Sequence, residues 1–251
     1  MRSPPAFLDR GGYRIAYRRL EGSSPTVVWL GGFRSDMIGA KAEALSDWAL
    51  EHGHSFIRFD YQGHGESEGR FQDGTIGLWR ADALVVIDEL TEGPLLLVGS
   101  SMGGWLACHA ALARPERVRA MVLIAPAADF TSALMEPGMD AAARAEMAAT
   151  GVWRRPSDYG GPYPITRALI EDGRRWSILP TLGGPPIPID VPVHILQGSR
   201  DPDVPVAHAR RLAEALRSPD VTFELIPDGD HRLSRPEDLA RLVAVVARVV
   251  G

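Results

Sequence analysis

Residues 94–104 read Pro-Leu-Leu-Leu-Val-Gly-Ser-Ser-Met-Gly-Gly, and this stretch decides the fold. The apolar run before Gly99 predicts a buried strand, and the alanine-rich run at 104–114 predicts a helix. Between them lies the pattern Gly-x-Ser-x-Gly, centred on Ser101. A turn this sharp strains its central residue, and the flanking glycines leave room for it. We therefore expect the Ser101 hydroxyl at the carboxyl end of a strand, where it can attack a carbonyl carbon.

Strand-like and helix-like segments alternate over most of the chain. Their near-continuous Val, Ile and Leu runs predict an α/β fold with a mostly parallel, doubly wound sheet. Such a sheet places ligands at the carboxyl ends of its strands. The last helix is expected to open with a capping box at residues 234–237, Ser-Arg-Pro-Glu. Strands are predicted at 13–19, 26–30, 55–61, 94–98, 120–124, 191–197 and 221–226, and helices at 42–50, 76–90, 104–114, 205–216 and from 236 onward.

Residues 128–190 break this alternation, because they are too long for a simple crossover between two strands. Helix-like pieces occur at 140–149 and 165–176. We expect the segment to form a cap inserted over the active end of a core made from residues 1–127 and 191–251. Its aromatic side chains either line an acyl pocket or pack into a small core of their own, which is the commoner fate. They are Phe130, Trp153, Tyr159, Tyr163 and Trp176, of which Trp153 is the candidate substrate contact.

Composition excludes several classes of protein. The 251 residues are 45% hydrophobic and 24% charged, as in a globular protein, and the net charge of -5 without a Lys/Arg block disfavours nucleic acid binding. Cys108 is the only cysteine, which excludes an intrachain disulfide and a cysteine metal cluster, and it is expected to be buried. Neither a signal peptide nor a run long enough for a membrane span is evident. We expect a cytoplasmic protein, of an oligomeric state that the sequence leaves open.

A serine hydroxyl is a weak nucleophile at neutral pH, and it needs a base that a carboxylate orients. After such a turn the acid and then the histidine follow the serine in the chain. Of the seven histidines, only His231 follows the last predicted strand in a short loop, so His231 is predicted as the general base and acid. His64 lies in the turn at residues 60–65, which we interpret as structural, although the ring could reach the site.

Three aspartates are candidates for the orienting acid. Asp201 directly follows a predicted strand end and is favoured. Asp203, two residues later, has an alternative role as the cap of the helix predicted at 205–216. Asp129, after an earlier strand, is the third candidate.

Two backbone N–H groups are expected to bind the oxyanion of an acyl-transfer reaction. One belongs to Met102, directly after the nucleophile, and the other to Phe33, in the loop after an earlier strand. Arg34 follows Phe33 and is a candidate contact for an anionic substrate group at the pocket mouth. An ion pair with Asp36 or simple solvation is the more common situation for such a residue.

Five segments together resemble one known family, and they are residues 59–65, 97–106, 113–116, 151–157 and 230–232. They are similar to the α/β-hydrolase superfamily, and within it to the mitochondrial palmitoyl-protein thioesterases that also act as acyl-glucuronide esterases. The resemblance covers the chain from about residue 26 onward, including the expected cap.

The resemblance implies a serine esterase or thioesterase that acts on small acyl substrates through Ser101, Asp201 and His231, without a metal or cofactor. The animal members begin with a mitochondrial transit segment that is not seen here, which favours a bacterial-type cytoplasmic relative. A lactonase or carbon–carbon-bond hydrolase with the same triad is an alternative. A hydrolase fold reused for ligand binding is another, since fold does not fix function.

Overall fold

The computed structural model describes residues 4–156 and 161–251, and ten strands and seven α-helices lie within these residues. The strands are β1 (Ala6–Asp9), β2 (Arg14–Leu20), β3 (Ser23–Leu30), β4 (His54–Phe59), β5 (Leu95–Ser100), β6 (Val118–Ile124), β7 (Val152–Arg155), β8 (Tyr163–Thr166), β9 (Val193–Gly198) and β10 (Val221–Ile226). The helices are α1 (Ala40–His52), α2 (Ile76–Leu90), α3 (Met102–Ala113), α4 (Ala141–Thr150), α5 (Arg167–Arg175), α6 (Val206–Ala215) and α7 (Pro236–Val250).

Eight of these strands form one sheet, in the order β1-β2-β4-β3-β5-β6-β9-β10. The pairs β1–β2 and β2–β4 are antiparallel, and the remaining pairs are parallel, which confirms the mostly parallel sheet. The chain runs from β3 to β4 on one side and then crosses back to β5 on the other. A ligand crevice forms at such a reversal, outside the carboxyl ends of the two strands.

Helices cover both faces of the sheet, as a doubly wound fold requires. Residues of α1 and α7 pack with Val27 and Trp29 of β3, whereas residues of α2, α3 and α6 pack with Val28 and Leu30. This division follows from the pleat, because successive side chains of a strand point to opposite faces. The alternation predicted from the sequence therefore corresponds to two buried layers of side chains.

The chain between β6 and β9 contains a π-helical turn at Thr131–Met135, then α4, the separate hairpin β7–β8, and α5, which contacts α2 of the core. Asp140 and Thr166 accept N–H groups at the starts of α4 and α5. Both helices fall near the predicted pieces, but Ile165 belongs to β8 and not to a helix. The hairpin and β1 were not predicted. That residues 128–190 act as a cap stays a prediction.

The start of the last helix differs from the expected capping box. Helix α7 begins at Pro236 with Arg235 as its N-cap residue. The carboxylate of Asp238 accepts the backbone N–H of Arg235 at 3.2 Å and the guanidinium at 2.8 Å. Ser234 instead donates its hydroxyl to the carbonyl of Arg232. The prediction of Ser234 as the cap was wrong by one residue, because Pro236 already has the φ of a first helical position.

Candidate active site

Ser101 stands at a strained turn between β5 and α3. Its backbone has φ 54° and ψ -119°, outside the regions that side-chain-bearing residues favour. Neighbouring backbone approaches the positions two residues before and two residues after Ser101 so closely that only glycine fits there. A Cβ on Gly99 would lie 2.4 Å from the carbonyl oxygen of Gly103, and one on Gly103 would lie 2.0 Å from that of Leu30. These contacts give the physical reason for the Gly-x-Ser-x-Gly pattern.

The imidazole of His231 lies beside this serine. Its Nε2 is 3.0 Å from the Ser101 Oγ, across 130 residues of sequence. The His231 side chain is 17% exposed and Ser101 is half-buried, so small molecules in solvent can reach the pair. The loop after β10 therefore places a base at hydrogen-bond distance from the hydroxyl, which is the geometry that proton abstraction requires.

The carboxylate of Asp201 contacts the other ring nitrogen of His231. The Nδ1 of His231 is 2.9 Å from Asp201 Oδ2, and the Asp201 side chain is fully buried. Since the carboxylate only accepts, Nδ1 carries the hydrogen and Nε2 is left as the acceptor for the Ser101 hydroxyl. Asp201 Oδ1 accepts the N–H groups of Asp203 and Val204, and Oδ2 also accepts the amide of Gln197 at 3.1 Å.

The two competing aspartates have other partners. Asp203 lies 3.8 Å from the guanidinium of Arg155. Asp129 accepts the backbone N–H groups of Ile178 and Leu179, and burial raises the pKa of its carboxyl group. Asp203 does have an oxygen within 4.8 Å of ligand-type atoms on Asp201 and His231, as in a metal site. However, hydrogen bonds already occupy both Asp201 oxygens and Nδ1 of His231. The arrangement of these residues therefore fits proton transfer better than metal binding.

Close backbone packing fixes the loops that carry the acid and the base. A Cβ on Gly198 would lie 2.4 Å from the carbonyl oxygen of Gly229, and the N–H of Arg200 donates to that same oxygen. Lys41, the only lysine, donates from α1 to the carbonyl of Arg232, beside His231. Burial lowers the pKa of Lys41 to about 8. Neither Gln197 nor Lys41 was predicted to support the site.

The loop after β3 lies next to the serine turn, because Leu30 and Gly99 are paired in register. A Cβ on Gly32 would be 3.4 Å from the Cβ of Ser101. Among the hydrogen bonds of residues 4–156 and 161–251, the N–H of Phe33 has no acceptor. Met102 begins α3, where the first N–H groups lack intrahelical acceptors. Both N–H groups are thus available, and their role in an oxyanion hole stays a prediction.

The ring of Phe33 belongs to an aromatic cluster beside this loop. Its centroid lies 4.9 Å from that of Phe71, 5.6 Å from Phe130 and 6.2 Å from Tyr163. Arg34 is exposed, and its guanidinium lies over the rings of Tyr163 and Phe71 at 4.7 and 5.4 Å. Within the described chain Arg34 forms no ion pair, and Asp36 accepts the N–H of Ile38 instead. Of the alternatives for Arg34, the ion pair with Asp36 is therefore not formed among the described residues, and the guanidinium lies against ring faces instead. A contact between Arg34 and an anionic substrate group stays a prediction.

The other candidate residues have varied surroundings. Trp153 is only 9% exposed and belongs to the hydrophobic core, opposite Ile165 in the β7–β8 hairpin, so its assignment as a substrate contact stays a prediction. Tyr159 lies outside the described residues. Phe130 is buried, and Tyr163 and Trp176 are half-buried. Cys108 is buried as expected, and burial raises the pKa of its thiol to about 12.

Residues 27–242 match the model of the Alpha/beta hydrolase family. The chain belongs to this family. The match includes the serine turn, the loop of Asp201 and the loop of His231. It confirms the fold and the family that the sequence motifs resemble, and it supports an enzyme with hydrolase activity.

Curated relatives agree over almost the whole chain. The mouse protein "Palmitoyl-protein thioesterase ABHD10, mitochondrial" is 38% identical over 244 residues, which cover 96% of this chain and 80% of the mouse protein. The human protein of the same name is also 38% identical, over 96% of this chain and 78% of its own length. The resemblance to mitochondrial thioesterases is thereby confirmed.

Two solved structures are similar over 98% of both chains. A putative hydrolase from Agrobacterium vitis S4 has a TM-score of 0.92 and 44% sequence identity. Alpha/beta hydrolase domain-containing protein 10 from mouse has a TM-score of 0.88 and 36% identity. In the present structure, no helix within the described residues is both long and apolar enough to cross a membrane. The expected cytoplasmic location stays a prediction, and the mouse and human relatives are mitochondrial proteins.

Proposed function

We propose that this protein is a serine hydrolase that cleaves carboxylic ester or thioester bonds of small acyl substrates. The observation that carries the proposal is the 3.0 Å contact between Ser101 Oγ and His231 Nε2, continued by the 2.9 Å contact to Asp201. The thioesterase names of the mouse and human relatives support the same substrate class.

In the first half of the reaction, Ser101 Oγ attacks the carbonyl carbon while its proton passes to Nε2 of His231. The new imidazolium is stabilised by Asp201, which also keeps the ring in the correct tautomer. The tetrahedral intermediate then collapses, the bond to the leaving oxygen or sulfur breaks, and His231 returns the proton to that atom. An acyl-Ser101 ester remains.

In the second half, a water molecule gives a proton to His231 and its oxygen attacks the acyl carbon. Collapse of this second intermediate breaks the bond to Ser101 Oγ, which recovers the proton. The carboxylic acid leaves and the enzyme is restored. In both halves the N–H groups of Phe33 and Met102 bind the negatively charged oxygen, a contribution that is often the largest in such reactions.

Residues 128–190 act in this proposal as a cap over the reacting groups. Two contacts support this role, since Tyr163 lies over Arg34 beside Phe33, and Arg155 lies 3.8 Å from Asp203. The half-buried rings of Phe33 and Phe71, which contact each other, are proposed to meet the acyl chain. The substrate is thus a small acyl ester or thioester, in a cytoplasmic protein that needs no cofactor.

Covalent labelling tests the nucleophile. A fluorophosphonate probe is expected to add once to the wild-type protein, at Ser101 by peptide mass spectrometry, and not to Ser101→Ala. The adjacent Ser100→Ala variant is a matched control that should still label. Labelling of Ser100 in the wild type, or none in folded protein, would contradict the proposal.

Steady-state kinetics on paired p-nitrophenyl esters and thioesters test the substrate class. An apolar pocket gains about 0.8 kcal/mol for each buried methylene, so kcat/KM should rise with acyl length and then level off. Where deacylation limits turnover, an ester and a thioester of one acyl group should share a kcat, because they form the same acyl-Ser101. A flat length profile with much faster lactone opening would favour a lactonase.

A further inference from the structure

The loop that carries Phe33 depends on a histidine outside the triad. Arg34, directly after Phe33, has a φ of 57°, a left-handed conformation that is uncommon for a residue with a side chain. Its backbone N–H donates to Nε2 of His64 at 3.2 Å. The bond crosses from the loop after β3 to the loop after β4, and it holds the peptide unit that joins Phe33 to Arg34.

The other nitrogen of His64 fixes its tautomer. Nδ1 lies 3.2 Å from the carbonyl oxygen of Gln62, which can only accept a hydrogen bond. Nδ1 therefore carries the hydrogen, and Nε2 presents a lone pair to the N–H of Arg34. The indole of Trp79 donates to the same carbonyl at 3.1 Å, so the acceptor is itself held in place.

The surroundings of His64 keep the ring neutral. His64 is 3% exposed as a residue, and the rings of Tyr61, Phe71 and Trp79 lie 5.1 to 5.5 Å from its ring, centroid to centroid. This burial lowers the pKa of His64 to about 4, and the positive charge of Arg34 acts in the same direction. A neutral ring is essential, because a protonated imidazole has no lone pair to accept an N–H.

We propose that His64 is a positioning residue for the oxyanion hole. It holds the N–H of Arg34, and thereby the position of Phe33, whose own N–H is without an acceptor among the described residues and lies in the loop beside the serine turn. A second pair of bonds closes the loop, since the Gly32 N–H donates to Ser35 Oγ and the Ser35 N–H to the Gly32 carbonyl. The inference rests on the proposed function, because it needs Phe33 to be an oxyanion donor.

Two substitutions separate positioning from packing. His64→Leu removes the acceptor, whereas His64→Gln retains a side-chain oxygen that can accept the Arg34 N–H. Loss of a complete oxyanion donor costs roughly 100- to 1000-fold in kcat, so His64→Leu should cost roughly 10- to 100-fold, with KM nearly unchanged. His64→Gln should recover most of this loss. His194→Leu, at a buried histidine of β9 that contacts Glu224, is the matched control and should keep wild-type kcat.

A second readout uses a trifluoromethyl ketone, whose adduct with Ser101 carries the oxyanion. Its affinity should fall with kcat/KM in His64→Leu and recover in His64→Gln. A third uses ¹⁵N-histidine NMR of the wild-type protein, in which His64 should be neutral with its hydrogen on Nδ1. The proposal is overturned by a hydrogen on Nε2, or by a His64→Leu variant that folds and keeps wild-type kcat. Absence of esterase activity in the wild type would instead contradict the proposed function, and the NMR result would still decide whether His64 is the acceptor.

Discussion

Asp201 accepts the backbone N–H of Asp203 at 2.9 Å, while Asp203 directs its own carboxylate to Arg155. Two acids two residues apart thus have different tasks. The side chain of Asp201 is fully buried and bonded to His231, whereas that of Asp203 is 32% exposed.

Asp201→Asn is expected to lower kcat by roughly 10⁴-fold, because an amide at this position favours the wrong tautomer of His231. Asp203→Asn is the matched control and should stay within a few-fold of wild type, since it weakens only a half-buried ion pair with Arg155. Steady-state kinetics on one ester would measure both. A severe loss in Asp203→Asn with a mild one in Asp201→Asn would reverse the assignment.

Gly103→Ala is expected to prevent formation of the serine turn, because its Cβ would lie 2.0 Å from the carbonyl oxygen of Leu30. The clashing atom belongs to the backbone and not to a flexible side chain, so it cannot easily move. The loss in free energy of unfolding should therefore exceed the roughly 1 kcal/mol of a typical substitution. Gly12→Ala is the control, as its Cβ would meet nothing within 4 Å. Thermal unfolding would measure the two, and equal melting temperatures would refute the steric argument.

Asp129→Ala is expected to lower stability and leave the chemistry intact. The carboxylate accepts the N–H groups of Ile178 and Leu179, and each buried donor left without a partner costs about 1 to 3 kcal/mol. Asp129→Asn keeps one acceptor oxygen and tolerates the φ of 55°, so it should be less damaging. Urea unfolding together with kcat at low temperature would check both. A large fall in kcat of folded Asp129→Asn would implicate Asp129 in catalysis.

Buried histidines are expected to make the fold sensitive to acid. Burial lowers the pKa of His109 from 6.5 to about 4. Between pH 4 and pH 6.5 the unfolded chain therefore binds more protons than the folded chain. The contribution of neutral His109 to the free energy of unfolding is complete above pH 6.5 and is lost as the pH falls toward 4. His109→Gln keeps a donor for the carbonyl of Trp176, which His109 Nε2 contacts at 2.9 Å, but does not titrate.

Urea unfolding between pH 7 and pH 4 would reveal this linkage. Between these pH values the free energy of unfolding of the wild type should fall by roughly 3 kcal/mol more than that of His109→Gln. This follows because a shift of one pKa unit corresponds to about 1.4 kcal/mol. His52→Gln, at an exposed histidine of α1, is a suitable control. Parallel stability curves for the wild type and His109→Gln would show that His109 is not buried in its neutral form.

The serine turn and the sheet were predictable because their signals are local. Gly99 and Gly103 mark positions where neighbouring backbone leaves no room for a Cβ, and the apolar runs of the strands mark burial on both faces. His231 was predicted from its position after the last strand, and the structure places it 3.0 Å from Ser101 Oγ. For the acid, the sequence favoured Asp201 but left Asp203 and Asp129 open. Of the three, Asp201 is the one hydrogen-bonded to His231 in the described chain, and its catalytic role stays a prediction.

The supporting residues were not predictable, because distant contacts create their roles. Gln197 is a polar residue in the buried strand Val193–Gly198, and this anomaly was its only signal. Arg34 meets Tyr163 and Phe71, which are 129 and 37 positions away in the chain. The β7–β8 hairpin has strands of four residues and a proline within β8, so neither length nor alternation marks it as a sheet.

One end of this hairpin contacts two loops of the site, the loop that carries Asp201 and the loop that carries Phe33. Arg155 and Tyr163 are paired across its strands, and they contact Asp203 on one side and Arg34 on the other. Under the proposed cap role, this pair joins the loop of the acid to the loop of Phe33, so one displacement would move both loops. We therefore expect substitutions at Arg155 or Tyr163 to change KM and kcat together for acyl substrates.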